Sequence, residues 1–215
     1  MEITFIGHSS FRIRGKSVSV VTDPYDPKMV GLKYAKVDAD IVTISHNHED
    51  HNKSELVTGV RKVISGPGEY EISGISIIGI PSFHDTQKGS QRGKNTIYVI
   101  EMDRLTMAHL GDLGHTLDDK IIDDMGEVDI LFIPVGGVYT IGPGEAAEVV
   151  QQIEPKIIIP MHYRVEGLNP EVFSDLSGVE EFLGKIGNKG ERLPKLQIKK
   201  EEMSEEQRVV ILERK

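Results

Sequence analysis

Apolar and polar side chains alternate in short runs along the first half of the chain, and some runs are apolar throughout. A period of two is typical of strands with one buried face, and an unbroken apolar run is typical of a strand buried on both faces. Gly15 followed by Lys16 indicates a tight turn between two runs. The pattern predicts strands over residues 2–7, 11–15, 17–23, 39–45, 61–65, 68–73, 75–83, 95–102 and 104–111.

Helical spacing appears mainly in the second half. Ala146, Val149 and Ile153 share one helix face, and Pro155 marks the end of that helix. Helices are predicted over 53–60, 117–126, 142–155 and 178–186, further strands over 128–137 and 156–163, and two strands around an acidic turn over 192–214. Without a linker between these segments, the order predicts a single α+β domain over residues 1–215, with strand layers covered by helices.

Composition narrows the class of protein. The chain has 215 residues, no cysteine and a formal net charge of -9. Disulfides and cysteine-ligated metals are therefore excluded, and the acidic balance argues against broad nucleic-acid binding. No apolar run approaches the roughly 20 residues that cross a bilayer, and the first residues do not resemble a signal peptide. A cytoplasmic location without membrane partners is the simplest expectation.

Residues 45–51, "SHNHEDH", concentrate metal-ligating side chains directly after a predicted buried strand. His46 and His48 can point the same way from an extended segment because the side-chain period is two. Asp50 and His51 follow at a turn and can face a second point nearby. The segment therefore predicts two pairs of ligands for two adjacent metal ions. Imidazole mixed with carboxylate suits zinc, iron or manganese.

Three later residues lie where an apolar strand gives way to a loop. His84 follows "IIGIPSF", Asp112 follows "LTMAHLG" and His162 follows "IIIPM". Each residue alone is more often a structural side chain at a strand end. Together with the cluster at 46–51, they become candidate ligands of the same site.

The order of these ligands and strands resembles the metallo-β-lactamase superfamily, whose motif His-x-His-x-Asp-His is intact at residues 46–51. Further segments are similar to its compact cytoplasmic branch, which includes ascorbate-6-phosphate lactonase and uncharacterised metal-dependent hydrolases. These segments are 7–13, 21–25, 109–115, 136–148 and 157–163. The resemblance covers about residues 1–165, leaves 166–190 unmatched, and implies a four-layer αββα sandwich.

The resemblance also implies the roles of the ligands. His46, His48 and His84 would hold one ion, Asp50, His51 and His162 the other, and Asp112 would bridge them. Two Zn²⁺ ions are expected, with Mn²⁺ or Fe as alternatives. Members with a di-iron redox centre have glutamate at the position of His48, so the histidine favours hydrolysis. A hydroxide shared by the two ions would attack the substrate, oriented by Asp50 as a catalytic residue.

Other polar residues are candidates for supporting roles. His109 is the first choice for an auxiliary acid, and Asp23 and Asp85 are candidate partners for the second nitrogen of a ligand histidine. His8 and His115 are expected to be structural, or to border the site without binding metal. The candidate substrate-binding residues are Arg92, Asn95 and Arg164, with Lys88 and Lys94 adding to a basic cluster in the polar loop before Asn95.

These observations favour a metal-dependent hydrolase acting on a small ester, lactone or phosphodiester, with an anionic substrate suited to the basic cluster. One alternative is an RNA- or DNA-processing nuclease of the same superfamily. Another is a non-catalytic regulatory protein that uses the metal site to bind a ligand. The sequence leaves the native metal, the substrate and homo-oligomer formation open.

Overall fold

Two large β-sheets share the central core of the molecule in a computed structural model that describes residues 1–214. The strands are β1 (Glu2–Gly7), β2 (Ser10–Arg14), β3 (Ser19–Thr22), β4 (Val37–Asp38), β5 (Ile41–Ile44), β6 (Val57–Thr58), β7 (Lys62–Ser65), β8 (Gly68–Ile72), β9 (Ile75–Phe83), β10 (Lys94–Met102), β11 (Leu105–His109), β12 (Ile130–Pro134), β13 (Ile157–Met161), β14 (Glu191–Leu193), β15 (Leu196–Gln197) and β16 (Arg208–Leu212). The helices are α1 (Pro27–Val30), α2 (Asp119–Met125), α3 (Pro143–Ile153), α4 (Pro170–Phe173) and α5 (Val179–Ile186), with 3₁₀ turns at Ser54–Leu56 and Lys200–Glu202.

The two sheets have the same kind of topology. The first has the strand order β15-β1-β2-β3-β5-β7, and the second has the order β14-β16-β13-β12-β11-β10-β9-β8. Each sheet contains an antiparallel meander, β1-β2-β3 or β8-β9-β10-β11, followed by parallel strands. A separate parallel pair is formed by β4 and β6.

Three apolar clusters separate four layers. The central cluster packs side chains of the first sheet, such as Phe11 and Ile41, against side chains of the second, such as Phe132 and Ile159. The outer face of the second sheet is covered by α2, α3 and α5, and the outer face of the first by α1 and α4 with the loops around them. The predicted αββα sandwich is therefore confirmed.

Strand direction brings the candidate ligands to one edge. β9 and β11 are both antiparallel to β10, and β11, β12 and β13 are parallel. The carboxyl ends of β9, β11 and β13 consequently lie at the same edge of the second sheet. The end of β5 in the first sheet joins this edge, because the amide of Thr96 donates a 2.9 Å hydrogen bond to the carbonyl of Ser45.

Most predicted elements are present, with boundaries shifted by a few residues. The helix predicted over 53–60 is wrong. A single 3₁₀ turn is followed there by β6, because the β-branched Val57 and Thr58 pair with Val37 and Asp38. The tail forms three strands, β14, β15 and β16, instead of two. The four-residue helices α1 and α4 are too short to give a periodic signal.

Among residues 1–214, no helix is long and apolar enough to cross a membrane.

Tyr98 provides a test of how the sheets are joined. Its buried hydroxyl on β10 donates to the Ile44 carbonyl and accepts from the Gly66 amide, each at 2.9 Å. We expect Tyr98→Phe to lower the free energy of unfolding by about 1–3 kcal/mol, because both backbone groups lose a partner. Urea denaturation measures this change. The control is Tyr70→Phe, whose partly buried hydroxyl contacts the edge of the same turn. Equal losses in the two variants would contradict the assigned role.

Candidate metal centre

The carboxylate of Asp112 lies at the meeting point of the loops that follow β5, β9 and β13. Its Oδ2 atom is 3.2 Å from Nε2 of both His51 and His84 and 3.3 Å from Nε2 of His162. Nε2 of His46 is 3.9 Å away. All five side chains are buried. One carboxylate oxygen is therefore surrounded by imidazoles from separate parts of the chain.

All seven predicted ligands converge on this place. Their potential ligand atoms form three overlapping groups, and within each group the atoms lie within 4.8 Å of one another. The groups are His46, His48 and His84; His46, His51 and Asp112; and His8, Asp50, His51 and His162. His48 is exposed, and the other members are buried. The structure thus brings together the residues that the sequence pattern proposed, and adds His8.

Asp23 orients two of the histidines. Its Oδ2 atom is 2.9 Å from Nδ1 of His51 and accepts a 2.6 Å hydrogen bond from the hydroxyl of Ser45. That hydroxyl lies 2.9 Å from Nδ1 of His46. Because a carboxylate only accepts, Nδ1 of His51 carries a proton; the Ser45 hydroxyl likewise donates to Asp23, so it accepts from a proton on Nδ1 of His46. Nε2 of each ring is turned toward the Asp112 carboxylate. The predicted supporting place of Asp23 agrees with this geometry.

Several buried atoms at this point have no hydrogen-bond partner among the described residues. They are Nε2 of His46, His51 and His162, and Oδ1 of Asp112. Buried polar atoms are normally paired, so four unpaired atoms around one point need an explanation. A metal ion fits these donors, since neutral imidazole nitrogens and a carboxylate are the ligands that zinc, iron and manganese accept.

The electrostatics of the site agree with this fit. Burial lowers the pKa of His46 to about 3, so its ring is in the neutral, ligating form. Burial would raise the pKa of Asp112, but the neighbouring His162 and His51 outweigh it and hold that pKa well below its usual value. For His51, burial opposes a positive charge, yet Asp112 and Asp50 raise its pKa well above the ordinary value. The carboxylates therefore attract positive charge to the centre of the cluster.

The backbone holds three side chains of the site in uncommon conformations. His8, Asp23 and His162 have positive φ angles of 56°, 40° and 50°. Such angles are unfavourable for residues other than glycine and concentrate at functional sites. His162 is held by a 3.0 Å hydrogen bond from its amide to the carbonyl of His8. Gly136 packs against the same turn, where any Cβ atom would lie 2.1 Å from the His162 carbonyl oxygen.

His8 belongs to the cluster, although no role as a metal ligand was predicted for it. Its Nε2 atom is 3.2 Å from Oδ2 of Asp50, and its ring centroid is 4.1 Å from that of His162. The sequence placed it beside the cleft but gave it no role. Its position directly after β1 is the same signal, a polar side chain at a strand end, that identified His84 and His162.

Asn95 was predicted to bind substrate and His109 to act as an auxiliary acid, but the structure places both side chains elsewhere. The buried Asn95 amide donates to the Ser82 hydroxyl and the Leu110 carbonyl and accepts from the Asp112 amide. It supports the Asp112 loop and has no group left for a substrate. Nε2 of His109 is bonded to the Ser9 carbonyl, and its Nδ1 accepts from the Gly111 amide. With both nitrogens engaged, His109 is a structural residue and not an acid facing the cleft.

The two candidate arginines are also separated. Arg164 is exposed, contacts the Ser174 carbonyl at 3.5 Å and does not line the cleft. Arg92 does line it, with its guanidinium 5.4 Å from the centre of the Tyr139 ring. The cleft is a cavity of about 420 Å³ over the cluster. Its apolar wall, which the sequence did not predict, is formed by Met29, Tyr139, Val172 and Phe173.

Asp85 and His115 do not partner a ligand histidine. The Asp85 carboxylate accepts four backbone amides of its own loop, from Gln87, Gly89, Gln91 and Arg92. His115 accepts from the Phe83 amide and contacts the Thr116 carbonyl. Both residues shape the chain around His84 without facing the cluster.

Comparison with known proteins agrees with this centre. The profile of the Beta-lactamase superfamily domain matches residues 2–162. The chain is 28% identical to a UPF0173 metal-dependent hydrolase of Thermococcus onnurineus, over 89% of this chain and 94% of that protein. It is 30% identical to one from Pelotomaculum thermopropionicum, over 76% and 84%.

A crystal structure from Thermotoga maritima, assigned as a zinc-dependent hydrolase of the metallo-β-lactamase superfamily, superposes with a TM-score of 0.83. Its sequence is 39% identical, and the match covers 100% of this chain and 99% of that chain. The chain therefore belongs to the metallo-β-lactamase superfamily, among its metal-dependent hydrolases.

Proposed function

We propose that the chain hydrolyses a small ester, lactone or phosphodiester at a centre for two divalent metal ions. His46, His48 and His84 would hold one ion, and Asp50, His51 and His162 the other. Asp112 would bridge them. The observation that supports this most strongly is the position of Asp112 Oδ2 within 3.9 Å of four imidazole Nε2 atoms, three of which have no hydrogen-bond partner among the described residues.

The ligand set also favours a class of metal. Five imidazoles and two carboxylates suit zinc first, and manganese or iron share these preferences. Ions of this kind would lower the pKa of a bound water molecule to about 7 and would polarise the oxygen of the bond that is cleaved. The side chains fix where the ions would lie and which substrate atoms could reach them.

Asp50 is the proposed catalytic residue of the chain itself. Its carboxylate lines the cleft and is held by His8, whose Nε2 lies 3.2 Å from Oδ2. Burial would raise the pKa of Asp50, but His51 outweighs it and keeps that pKa well below its usual value. The carboxylate is therefore charged at neutral pH and can accept a hydrogen bond from the attacking water, which orients it.

Arg92 is the proposed substrate-binding residue of the cleft. Arg92 is partly exposed, its guanidinium lies beside Tyr139, and it lines the same cleft as Asp50 and Asp112. An anionic oxygen of the substrate could pair with it, while the apolar wall at Phe173 and Val172 accepts a carbon skeleton. The size of the cavity, about 420 Å³, suits a small molecule.

The loop over 84–93 connects a ligand to this arginine. Asp85 directly follows His84, and its carboxylate binds the amide of Arg92 at 2.7 Å together with three other amides. Burial would raise the pKa of Asp85, but these backbone donors lower it to about 2, so the carboxylate stays charged at neutral pH. One side chain thus positions His84 and Arg92 together.

The two alternatives are less well supported. A nuclease needs a basic path for a polymer, whereas this chain has a net charge of -9 and a confined cleft with an apolar wall. A regulatory protein could keep the metal and lack turnover. Salt-sensitive RNA binding would favour the first alternative, and metal binding without any hydrolysis the second.

Metal analysis and turnover test the proposal. We expect up to two equivalents of zinc or manganese per chain and hydrolysis of bis(p-nitrophenyl) phosphate or a simple lactone. In His48→Ala we expect about one equivalent and a rate lower by more than about 100-fold, because one ion loses a ligand. His48 is exposed, so folding should persist. Asn52→Ala, in the same loop and outside the three groups, is the control. Failure of the wild type to bind metal would overturn the proposal.

Asp23→Asn tests the support behind the ligands. The amide removes the charge that accepts from His51 and Ser45, so both His46 and His51 lose a fixed tautomer. We expect the affinity for zinc to fall about 10- to 100-fold, measured by competition with a chelator. Asp38→Asn, at a carboxylate that is 72% exposed, should leave the affinity unchanged. Equal affinities for the two variants would exclude this role for Asp23.

Asp85→Ala tests the loop. Without the carboxylate, four amides lose their acceptor, and trypsin should cleave after Lys88 or Arg92 about tenfold faster or more. KM for an anionic substrate should rise, because Arg92 is no longer held. Thr86→Ala, an exposed neighbour in the same loop, is the matched control. An unchanged cleavage rate in Asp85→Ala would show that the loop is held by other contacts.

A further inference from the structure

A second cavity adjoins the cluster of candidate metal ligands. It has a volume of about 440 Å³ and lies between the loop after β7 and the start of β10. His46 and His48 form the boundary with the cluster, and Arg92 lines both this cavity and the cleft. Pro67 and Lys94 also line it. We call it the Lys94 groove.

The charge of the Lys94 groove differs from that of the rest of the molecule. Among the described residues that line it there is no carboxylate, and its charged side chains are the cations Arg92 and Lys94. The cleft on the other side of His48 is lined by Glu49, Asp50 and Asp112. In a chain with a net charge of -9, a cavity whose charged side chains are cations alone favours anions over cations electrostatically.

Lys94 is free to bind a ligand. It is the first residue of β10, and it is exposed, whereas the next residue, Asn95, is buried against the Asp112 loop. The ion pairs that lysines and arginines form within residues 1–214 involve neither Lys94 nor Arg92. Lys88, from the same basic cluster in sequence, lines neither cavity.

We propose that the Lys94 groove binds a second anionic group of the substrate, a carboxylate or a phosphate remote from the bond that is cleaved, and that Lys94 selects for it. This rests on the proposed function, because the cluster between the two cavities would then hold the scissile group. The substrate is accordingly a molecule with two different ends. Its anionic end lies beside Lys94 and Arg92, and its carbon skeleton lies against Tyr139 and Phe173.

Binding of three related anilides tests the proposal without hydrolysis. They share the chain phenyl-NH-CO-CH₂-CH₂ and end in a carboxylate, a phosphonate or an uncharged primary amide. Isothermal titration of the metal-loaded protein should show tighter binding of at least one anionic probe than of the amide. The preferred anion distinguishes a carboxylate from a phosphate as the natural group.

The paired variants are Lys94→Met and Lys88→Met, both at exposed lysines near the loop. Lys94→Met should reduce the preference for the anion over the amide about tenfold, since one charge-assisted contact is lost. Lys88→Met should keep that preference within about twofold. Equal losses in the two variants, equal binding of anion and amide by the wild type, or no binding of either anion would each overturn the proposal.

The matching phenyl ester of succinic acid, assayed in parallel, separates this proposal from the hydrolase function. Anion preference without ester turnover would leave the groove assigned and refute hydrolysis of such esters. Ester turnover without anion preference would support the hydrolase function and refute the assignment of the groove.

Discussion

The burial of the Asp112 carboxylate among imidazoles is the interaction on which the rest of the structure depends. A buried carboxylate is unstable without compensating partners, and these come from three loops that belong to both sheets. The partners can meet only if the carboxyl ends of β5, β9 and β13 lie at one edge. The contacts between Ser45 and Thr96 and between Tyr98 and Ile44 fix the two sheets in that relation. The packing of the two sheets and the electrostatics of the site therefore depend on each other.

Part of this arrangement depends on strained backbone conformations. Positive φ angles at His8, Asp23 and His162 cost on the order of 1–3 kcal/mol each. Hydrogen bonds compensate for them locally. Asp23 accepts from the amide and hydroxyl of Ser45, and the His162 amide bonds to His8. The rings of His46 and His51 are also held by protein partners, so a cation meets two ligands that are already arranged. Such preorganisation favours tight binding because little conformational freedom is lost.

The residues that converge on this point could be predicted from sequence because their signal is local. One signal is the spacing within 46–51, and the other is a polar residue directly after an apolar strand. Both remain recognisable when the predicted strand boundaries contain small errors. The supporting residues could not be assigned in this way. Asn95 and His109 both lie close to the loop that carries Asp112, as residues of the cleft do. The strand register nevertheless directs both side chains toward protein partners. Arg164 does not reach the site for a different reason, since two residues beyond His162 its side chain is exposed to solvent.

The positions of the basic residues show most clearly what the fold determines beyond the order of residues in the sequence. Lys88, Arg92 and Lys94 form one basic cluster along the chain, but the loop closed by Asp85 separates them into three environments. Lys88 is outside both cavities, Lys94 lines one, and Arg92 lies between the two. The two cavities that share His48 and Arg92 therefore differ in character, since one has an apolar wall and the other is lined by cations without carboxylates. A molecule with one anionic and one apolar end would gain from only one of its two orientations across them, so this asymmetry would determine which bond is presented to the histidines.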